Sequence, residues 1–257
     1  MQHRPAIELA TQFKSVRASQ KDAATDAEYL RRRDTFARDL GFPELFQYID
    51  QFGVYCGAQT LASRLVAYEV LKQSVKVPGH IVEFGVWHGS NLLFLAKILR
   101  LLQPQTTKQL FGFDNFAGLP APHAHDHDKA KEFVGRYHGN EAVLRAAISL
   151  YQLEDWVHLI VGDATTTIPA FADEFPEVLV SLAWVDFDLY EPTRVALDFL
   201  RKRLCPGGII VLDEAVSRVW PGETVALLEF LNTAGARFRM EANTLGRQPV
   251  MYLVRES

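Results

Sequence analysis

The sequence predicts an α/β fold: a mostly parallel sheet with helices on both faces, preceded by a helical arm. Three features predict it. From His80 onward, short apolar runs alternate with segments of helical periodicity. The runs are apolar at successive positions, so both of their faces are buried, as in a parallel sheet covered on two sides. A glycine or an acidic residue follows each of the first five runs, which is the turn chemistry that ends a strand. With 257 residues, 48% apolar and 23% charged, the chain is long enough to bury a sizeable core without staples. Its two cysteines, Cys56 and Cys205, form neither a disulfide framework nor a zinc site by themselves.

The elements follow in order. Residues 1 to about 40 are polar and mixed in charge, a mobile start followed by a surface helix. Between about 44 and 76, Leu61, Leu65, Tyr68, Leu71 and Val75 recur at three- and four-residue steps until Pro78-Gly79 stops the pattern. Residues 1–78 are therefore expected to form a helical arm or cap, and residues 79–257 the main domain. Strands are expected at 80–84, 109–113, 157–161, 178–185 and 209–212. Helices are expected at 90–102 (Ser90 as N-cap), 140–150, 168–175, 193–204 (closed by Pro206-Gly207-Gly208) and 221–234. Residues 237–241 and 250–254 read as a closing antiparallel pair. Residues 115–138 carry prolines and histidines without a period, and loops this long are usually functional; residues 116–138 are expected to form a lid.

In parallel sheets ligands bind outside the carboxyl ends of the strands. There stand Glu83, Asp114, Asp163, Asp186 with Asp188, and Asp213 with Glu214. The loop Glu83-Phe-Gly-Val-Trp-His-Gly-Ser90 places Gly85 and Gly89 between a strand and a helix. Trp87 occupies the position where a dinucleotide fold needs its second glycine, which argues against NAD or FAD. A looser turn suits a single carboxylate at a helix N-terminus, as in the methionine part of S-adenosylmethionine, with Glu83 accepting its ammonium group. Asp114 is then placed for ribose hydroxyls and Asp163, in Gly162-Asp-Ala164, for the adenine amine. Asp186 and Asp188 share a face if the chain stays extended, and Asp213-Glu214 ends the next strand. Two bare carboxylates about 5 Å apart repel by roughly 3 kcal/mol at an effective dielectric of about 20. Such a cluster takes up protons or binds a cation, and all-oxygen ligands favour Mg²⁺. The bland alternative turns Asp188 or Glu214 outward to cap a helix. His123, His125 and His127 mimic a metal motif, but after Pro120 and Pro122 a solvated lid is the expected reading.

Ile81-Val-Glu-Phe-Gly-Val-Trp-His-Gly-Ser-Asn91, Phe113-Asp-Asn-Phe-Ala-Gly-Leu-Pro120, Asp186-Phe-Asp-Leu-Tyr-Glu-Pro-Thr193 and Pro206-Gly-Gly-Ile-Ile-Val-Leu-Asp-Glu214 together resemble the macrocin O-methyltransferase family, which methylates sugar hydroxyls of macrolide and aminocoumarin antibiotics. The resemblance covers residues 45 to 255. It implies a Rossmann-like class I methyltransferase with a seven-stranded sheet whose last strand is antiparallel, S-adenosylmethionine as donor, and Mg²⁺. It implies cofactor contacts at Glu83, Gly85, Gly89, Ser90, Asn91, Asp114, Asn115, Asp163 and Ala164. Metal ligands are implied at Asp186, Asp213 and Glu214, where the family has Asp-Asp at the last two positions. Asp186, Asp188 and the lid histidines are the candidate bases. The acceptor is expected to be a small molecule with a sugar or polyol hydroxyl; a catechol suits the same chemistry.

A nucleotide-sugar dehydrogenase or epimerase is the rival enzyme reading, but the chain lacks the G-x-G-x-x-G that such an enzyme needs. A non-catalytic adenosine-binding module is the other rival, and it needs no acid cluster at the fourth and fifth strands. A net charge of −4 argues against nucleic-acid binding, which needs a basic face. No apolar stretch is long enough for a membrane span, and Met1–Lys21 lacks a secretory core. A cytoplasmic protein is expected, and a homo-oligomer by analogy.

Overall fold

A computed structural model of the chain describes residues 20–246 and 248–256, with side chains from residue 25 onward. The expected irregular start lies outside the described residues. The chain divides into two compact units, one ending at Tyr55 and one beginning at Cys56.

The first unit is helical: α1 (Gln20–Asp39), α2 (Leu45–Ile49) and α3 (Phe52–Tyr55). Its small core forms around Phe46, whose ring lies 6.2 Å from that of Phe36. The Arg33 guanidinium sits 4.2 Å over the Phe46 ring and donates to Asp50 at 2.6 Å.

The second unit contains α4 (Ala58–Ser74), β1 (His80–Phe84), α5 (Ser90–Leu102), β2 (Leu110–Asp114) and α6 (Glu141–Leu150). There follow β3 (Val157–Val161), α7 (Ala164–Glu174), β4 (Val180–Val185), α8 (Tyr190–Arg203), β5 (Leu204–Leu212), α9 (Pro221–Thr233), β6 (Phe238–Ala242) and β7 (Met251–Arg255). The strands form one seven-stranded sheet in the order β3-β2-β1-β4-β5-β7-β6. The first five strands are parallel, and β7 runs antiparallel to both β5 and β6.

Alternation along each strand assigns its side chains to two cores. Val82, Phe84, Ala183, Val185, Ile210 and Leu212 pack with α7, α8 and α9. Ile81, Leu182, Trp184, Ile209 and Val211 pack on the other face with α4, α5 and α6. Helix α4 thus belongs to the sheet-bearing unit, and the division falls at 55/56 rather than the expected 78/79. The reason is burial: Val66, Ala67, Val70 and Leu71 are part of the second core. The predicted stripe is buried only toward the end of α4, where Leu71 and Val75 meet this core; Leu61 and Leu65, earlier on it, are exposed.

Two expected boundaries also move. Pro206-Gly207-Gly208 does not close a helix; it lies inside β5, where the pairing jumps from Val180↔Leu204 to Leu182↔Ile209. The extra residues form a bulge whose Pro206 is exposed, the setting in which a strand tolerates proline. Helix α7 begins at Ala164, four residues early, because Asp163 accepts from the Thr165 amide at 2.8 Å and caps it. At the start of α5 the N-cap is Gly89 in the left-handed region (φ +77°), and Ser90 is the first helical residue.

Gly85 carries the β1–α5 turn at φ +91°, and a Cβ there would lie 1.9 Å from the Asp186 carbonyl oxygen. G85A is therefore expected to destabilise the protein by about 3 kcal/mol, read as a lowered denaturant midpoint. An unchanged midpoint would show that the turn has room to relax.

Candidate active site

The register of the sheet brings the acids together. Glu83 follows Ile81 by two residues and faces the core that contains α4 and α5. Phe84, Val185 and Leu212 are aligned across β1, β4 and β5. The ladder continues one residue further, with the Asp186 amide donating to Phe84 O at 2.7 Å and the Asp213 amide to Val185 O at 3.1 Å. Asp186 and Asp213 therefore lie side by side at strand spacing, on the same face as Glu83.

Opposite them stands Arg64 of α4, absent from every motif noted in the sequence. Its Nη1 donates to Asn91 Oδ1 at 3.2 Å. Burial lowers the Arg64 pKa while Glu83, Asp213 and Asp186 pull it back up. Glu83 is 3% exposed; burial pushes its carboxyl up to about 8, against the pull of Arg64 and Asn91. Arg64 Nε, Asn91 Nδ2 and Glu83 Oε2 are buried without a hydrogen-bond partner among the described residues. Buried polar atoms are seldom left unpaired. Asn91 lies close enough to Glu83 to lower its pKa, yet neither atom completes a hydrogen bond of good geometry; with Arg64 Nε they complement a group that carries a carboxylate and an ammonium together.

The acids beyond β4 and β5 raise one another. Asp186 is held well above the carboxylate range by burial, then by Asp213, Asp188, Glu223 and Glu83. Asp188 and Asp213 are raised by burial and by Glu214, and Arg64 opposes the rise at Asp213. Glu223, the second residue missed in the sequence, is fully buried. It accepts from the Glu214 amide at 3.0 Å, its Oε2 is unpaired, and burial followed by Asp213 and Asp188 raises it. Asp186, Asp188, Asp213 and Glu214 remain partly exposed, so a ligand has access to them.

The bare acid cluster ties stability to pH. Each raised group keeps a proton in the folded state that the unfolded chain has already released. Its contribution is full below the ordinary carboxylate range and is lost as pH rises through about 8 for Glu83. The melting temperature of the ligand-free protein is expected to fall between pH 5 and 9, and to fall less for E83Q. A flat profile would contradict the burial of these acids.

Other expected site residues have structural partners of their own. Asp114 Oδ2 accepts from the Val86 and Trp87 amides and Oδ1 from the Phe116 amide, all at 2.7 Å, so Asp114 clamps the turns after β1 and β2. Asn115 shapes the start of the lid through Ala117, Gly118 and the Gly118 carbonyl. Asp163 caps α7, Ala164 is buried at its start, and Ser90 is exposed. The Glu214 carboxylate is tied to Gln248 and Ser217. Being one methylene longer than Asp, it reaches those partners. Among the described residues no three His, Cys, Asp or Glu side chains form a metal-holding group, so the expected trio of Asp186, Asp213 and Glu214 is not assembled.

The lid touches three strand-end loops. Tyr137 meets Trp87 edge-on with ring centres 6.3 Å apart, and Phe133 meets Trp220 at 5.4 Å. His123 stacks on Tyr190 at 4.8 Å and His125 meets it edge-on at 4.6 Å. His127 Nδ1 accepts from the Lys129 amide. The histidines thus belong to the lid's own structure. No helix among the described residues is long and apolar enough to cross a membrane.

Residues 11–240 match the family model described as Macrocin-O-methyltransferase (TylF). The 8-demethyl-8-(2,3-dimethoxy-alpha-L-rhamnosyl)-tetracenomycin-C 4'-O-methyltransferase of Streptomyces olivaceus is 34% identical over 146 residues, 54% of this chain and 53% of that protein. The mycinamicin III 3''-O-methyltransferase of Micromonospora griseorubida is 30% identical over 147 residues, 54% of this chain and 56% of that protein. The chain thus matches about half the length of these curated relatives. Among solved structures, the calicheamicin methyltransferase CalS11 superposes with a TM-score of 0.73 at 25% identity, covering 93% of each chain. The O-methyltransferase NovP superposes at 0.64 and 21% identity, over 76% of this chain and 80% of that one.

Proposed function

Because the chain belongs to the macrocin O-methyltransferase family and has the class I methyltransferase fold, we propose that it transfers a methyl group from S-adenosylmethionine to a sugar hydroxyl of a glycosylated natural product. The observation that carries this reading is the unpaired trio of Arg64 Nε, Asn91 Nδ2 and Glu83 Oε2 beside the glycine turn. It suits the carboxylate and ammonium of one α-amino acid, and the acids next to it suit a cationic sulfonium. The relatives act on a rhamnosylated tetracenomycin and on a mycinamicin, and a glycoside acceptor is proposed here by that likeness.

Arg64 and Asn91 would hold the cofactor carboxylate and Glu83 its ammonium, with the amides at the start of α5 facing the same end. Asp114 keeps a lone pair on Oδ1 for a ribose hydroxyl, and Asp163 keeps Oδ2 for the base amine. When bound, S-adenosylmethionine supplies an electrophilic methyl group. Asp186 lies between Glu83 and Asp213, and its raised proton affinity suits removal of the acceptor's hydroxyl proton. Asp188 is the second candidate. The positive sulfonium would draw the Asp186 pKa down, so that its proton passes to solvent and the base is freed when the donor binds.

The donor chemistry at Asp186 and Asp213 fits Mg²⁺, which is commonly held by one or two carboxylates, with water and substrate oxygens completing its shell; with the ion on Asp186, Asp188 would be the base. When bound, the ion would lower the pKa of the hydroxyl. Glu214, engaged by Gln248, is not required.

The test is transfer of labelled methyl from S-adenosylmethionine into a panel of rhamnosylated and deoxysugar-bearing polyketides, simple sugars and catechols, with and without EDTA. Methylated glycoside is the expected product, with activity lost in EDTA and restored by Mg²⁺. A protein that binds S-adenosylmethionine but methylates only catechols would refute the acceptor class. Full activity in EDTA would refute the ion.

A further inference from the structure

Two helices that border the acid cluster begin without caps of their own. The N-cap of α8 is Leu189 and that of α9 is Trp220, and neither makes a side-chain cap bond. Both are apolar and buried in one small cluster with Ala130 of the lid, against Leu119 and Phe133. An exposed helix start usually recruits Ser, Thr, Asp or Asn; here those positions are given over to packing the lid.

Asp126 of the lid replaces the missing cap. Its Oδ1 accepts from the Tyr190 amide, the first of α8, at 2.9 Å. Its Oδ2 accepts from the His123 amide at 2.7 Å. The Asp126 amide in turn donates to the His123 carbonyl at 3.0 Å, which closes the tip of the lid on itself. The start of α9 is shaped around the same carboxylate, since a Cβ on Gly222 would lie 1.8 Å from Asp126 Oδ1 and 2.7 Å from the Tyr190 nitrogen. Lid, α8 and α9 thus meet at one oxygen, where the positive ends of two helices favour an anion.

Two residues before Tyr190 is Asp188, held at φ +63°. A non-glycine residue keeps that conformation only where its surroundings fix it. The turn is tight, with the Leu189 amide bonded to the Phe187 carbonyl at 2.6 Å. It joins Asp186 to the helix that Asp126 caps.

We infer that Asp126 is a positioning residue for methyl transfer: by capping α8 from the lid it fastens the lid tip and holds the Asp186–Asp188 turn in shape. The catalytic half of this inference rests on the methyltransferase reading; the latch itself does not. The test compares wild type, D126A, D126N and G222A in the full chain by amide hydrogen exchange, cofactor calorimetry and steady-state kinetics.

In D126A, exchange at residues 119–134 and at Tyr190 is expected to rise together by about ten- to thirtyfold, the loss of one cap. The kcat is expected to fall about tenfold while the Kd for S-adenosylmethionine stays within about twofold. D126N keeps one acceptor oxygen, enough for the Tyr190 amide but not for the His123 amide as well, and is expected to restore only part of both. G222A, whose Cβ would meet both the Asp126 carboxylate and the Tyr190 backbone, is expected to loosen the lid tip at least as much as D126A.

Faster exchange in D126A confined to residues 123–128, or an unchanged kcat in D126A, would each overturn the inference. If wild type transfers no methyl group, the functional reading and the catalytic half fail together, and hydrogen exchange still decides whether the latch exists.

Discussion

Replacing Arg64 by methionine is expected to weaken S-adenosylmethionine binding by a hundredfold or more, measured by calorimetry. Arg64 is the cation that faces Glu83 and Asp213, and its free Nε is one of the three unpaired atoms of the cradle. Truncating one partner of a buried charge pair across a binding interface, here Arg64 with the cofactor carboxylate, costs about 2–5 kcal/mol, and about 2.7 kcal/mol is already a hundredfold in a dissociation constant. The variant also leaves Glu83 without a counter-charge, so its carboxyl takes a proton more firmly and accepts less well from an ammonium. R64K is expected to recover only part of the affinity, because an ammonium lacks the flat fork that meets a carboxylate with two bonds. Melting curves at pH 6 keep a folding defect distinct from a binding defect. A Kd within threefold of wild type in folded R64M would show that the cofactor's carboxylate lies elsewhere.

D186N is expected to lower kcat by about 10²- to 10⁴-fold, the usual contribution of a positioned acid or base. The same change is expected to raise the melting temperature of the ligand-free protein at pH 8. Asp186 is the acid whose proton affinity is raised by burial and by four other acids at once, so taking away its charge relieves the fold while it removes the base. Opposite movements of activity and stability distinguish a functional acid from a structural one, whose loss lowers both. Measured kcat within threefold of wild type would move the proton transfer to Asp188 or to the lid. A lowered melting temperature would mean that Asp186 makes a stabilising bond rather than a repelling contact.

Much of the site was legible because strands and turns are local. Two-residue alternation in Ile81-Val-Glu-Phe84 and in Leu182-Ala-Trp-Val185 assigns their faces, and the acids that follow inherit them. Glycine at 85 and 89 permits the left-handed turn, but residue type does not dictate it, and the cap falls on Gly89 rather than the expected Ser90. What the strand-end rule missed was what each acid does with its neighbours. Asp114 and Asp163 hold backbone amides of their own turns, the ordinary work of a turn aspartate. Glu214 is bound to Gln248, thirty-four residues on, and no spacing near Glu214 announces it. Periodicity shows that α4 has an apolar side but not what that side packs on, and only the folded chain brings Val66, Val70 and Leu71 onto the sheet.

From the sequence alone come the strand order's raw material, the glycine turn, the row of acids at strand ends and the family, all properties of residues within a few positions of one another. Only the folded chain brings Arg64 over Glu83, buries Glu223 beside Asp213, and seats Asp126 on an amide sixty-four residues away. These pairings cross between elements, and the energy that selects them, burial of charge and of unpaired polar atoms, exists only once water has been excluded.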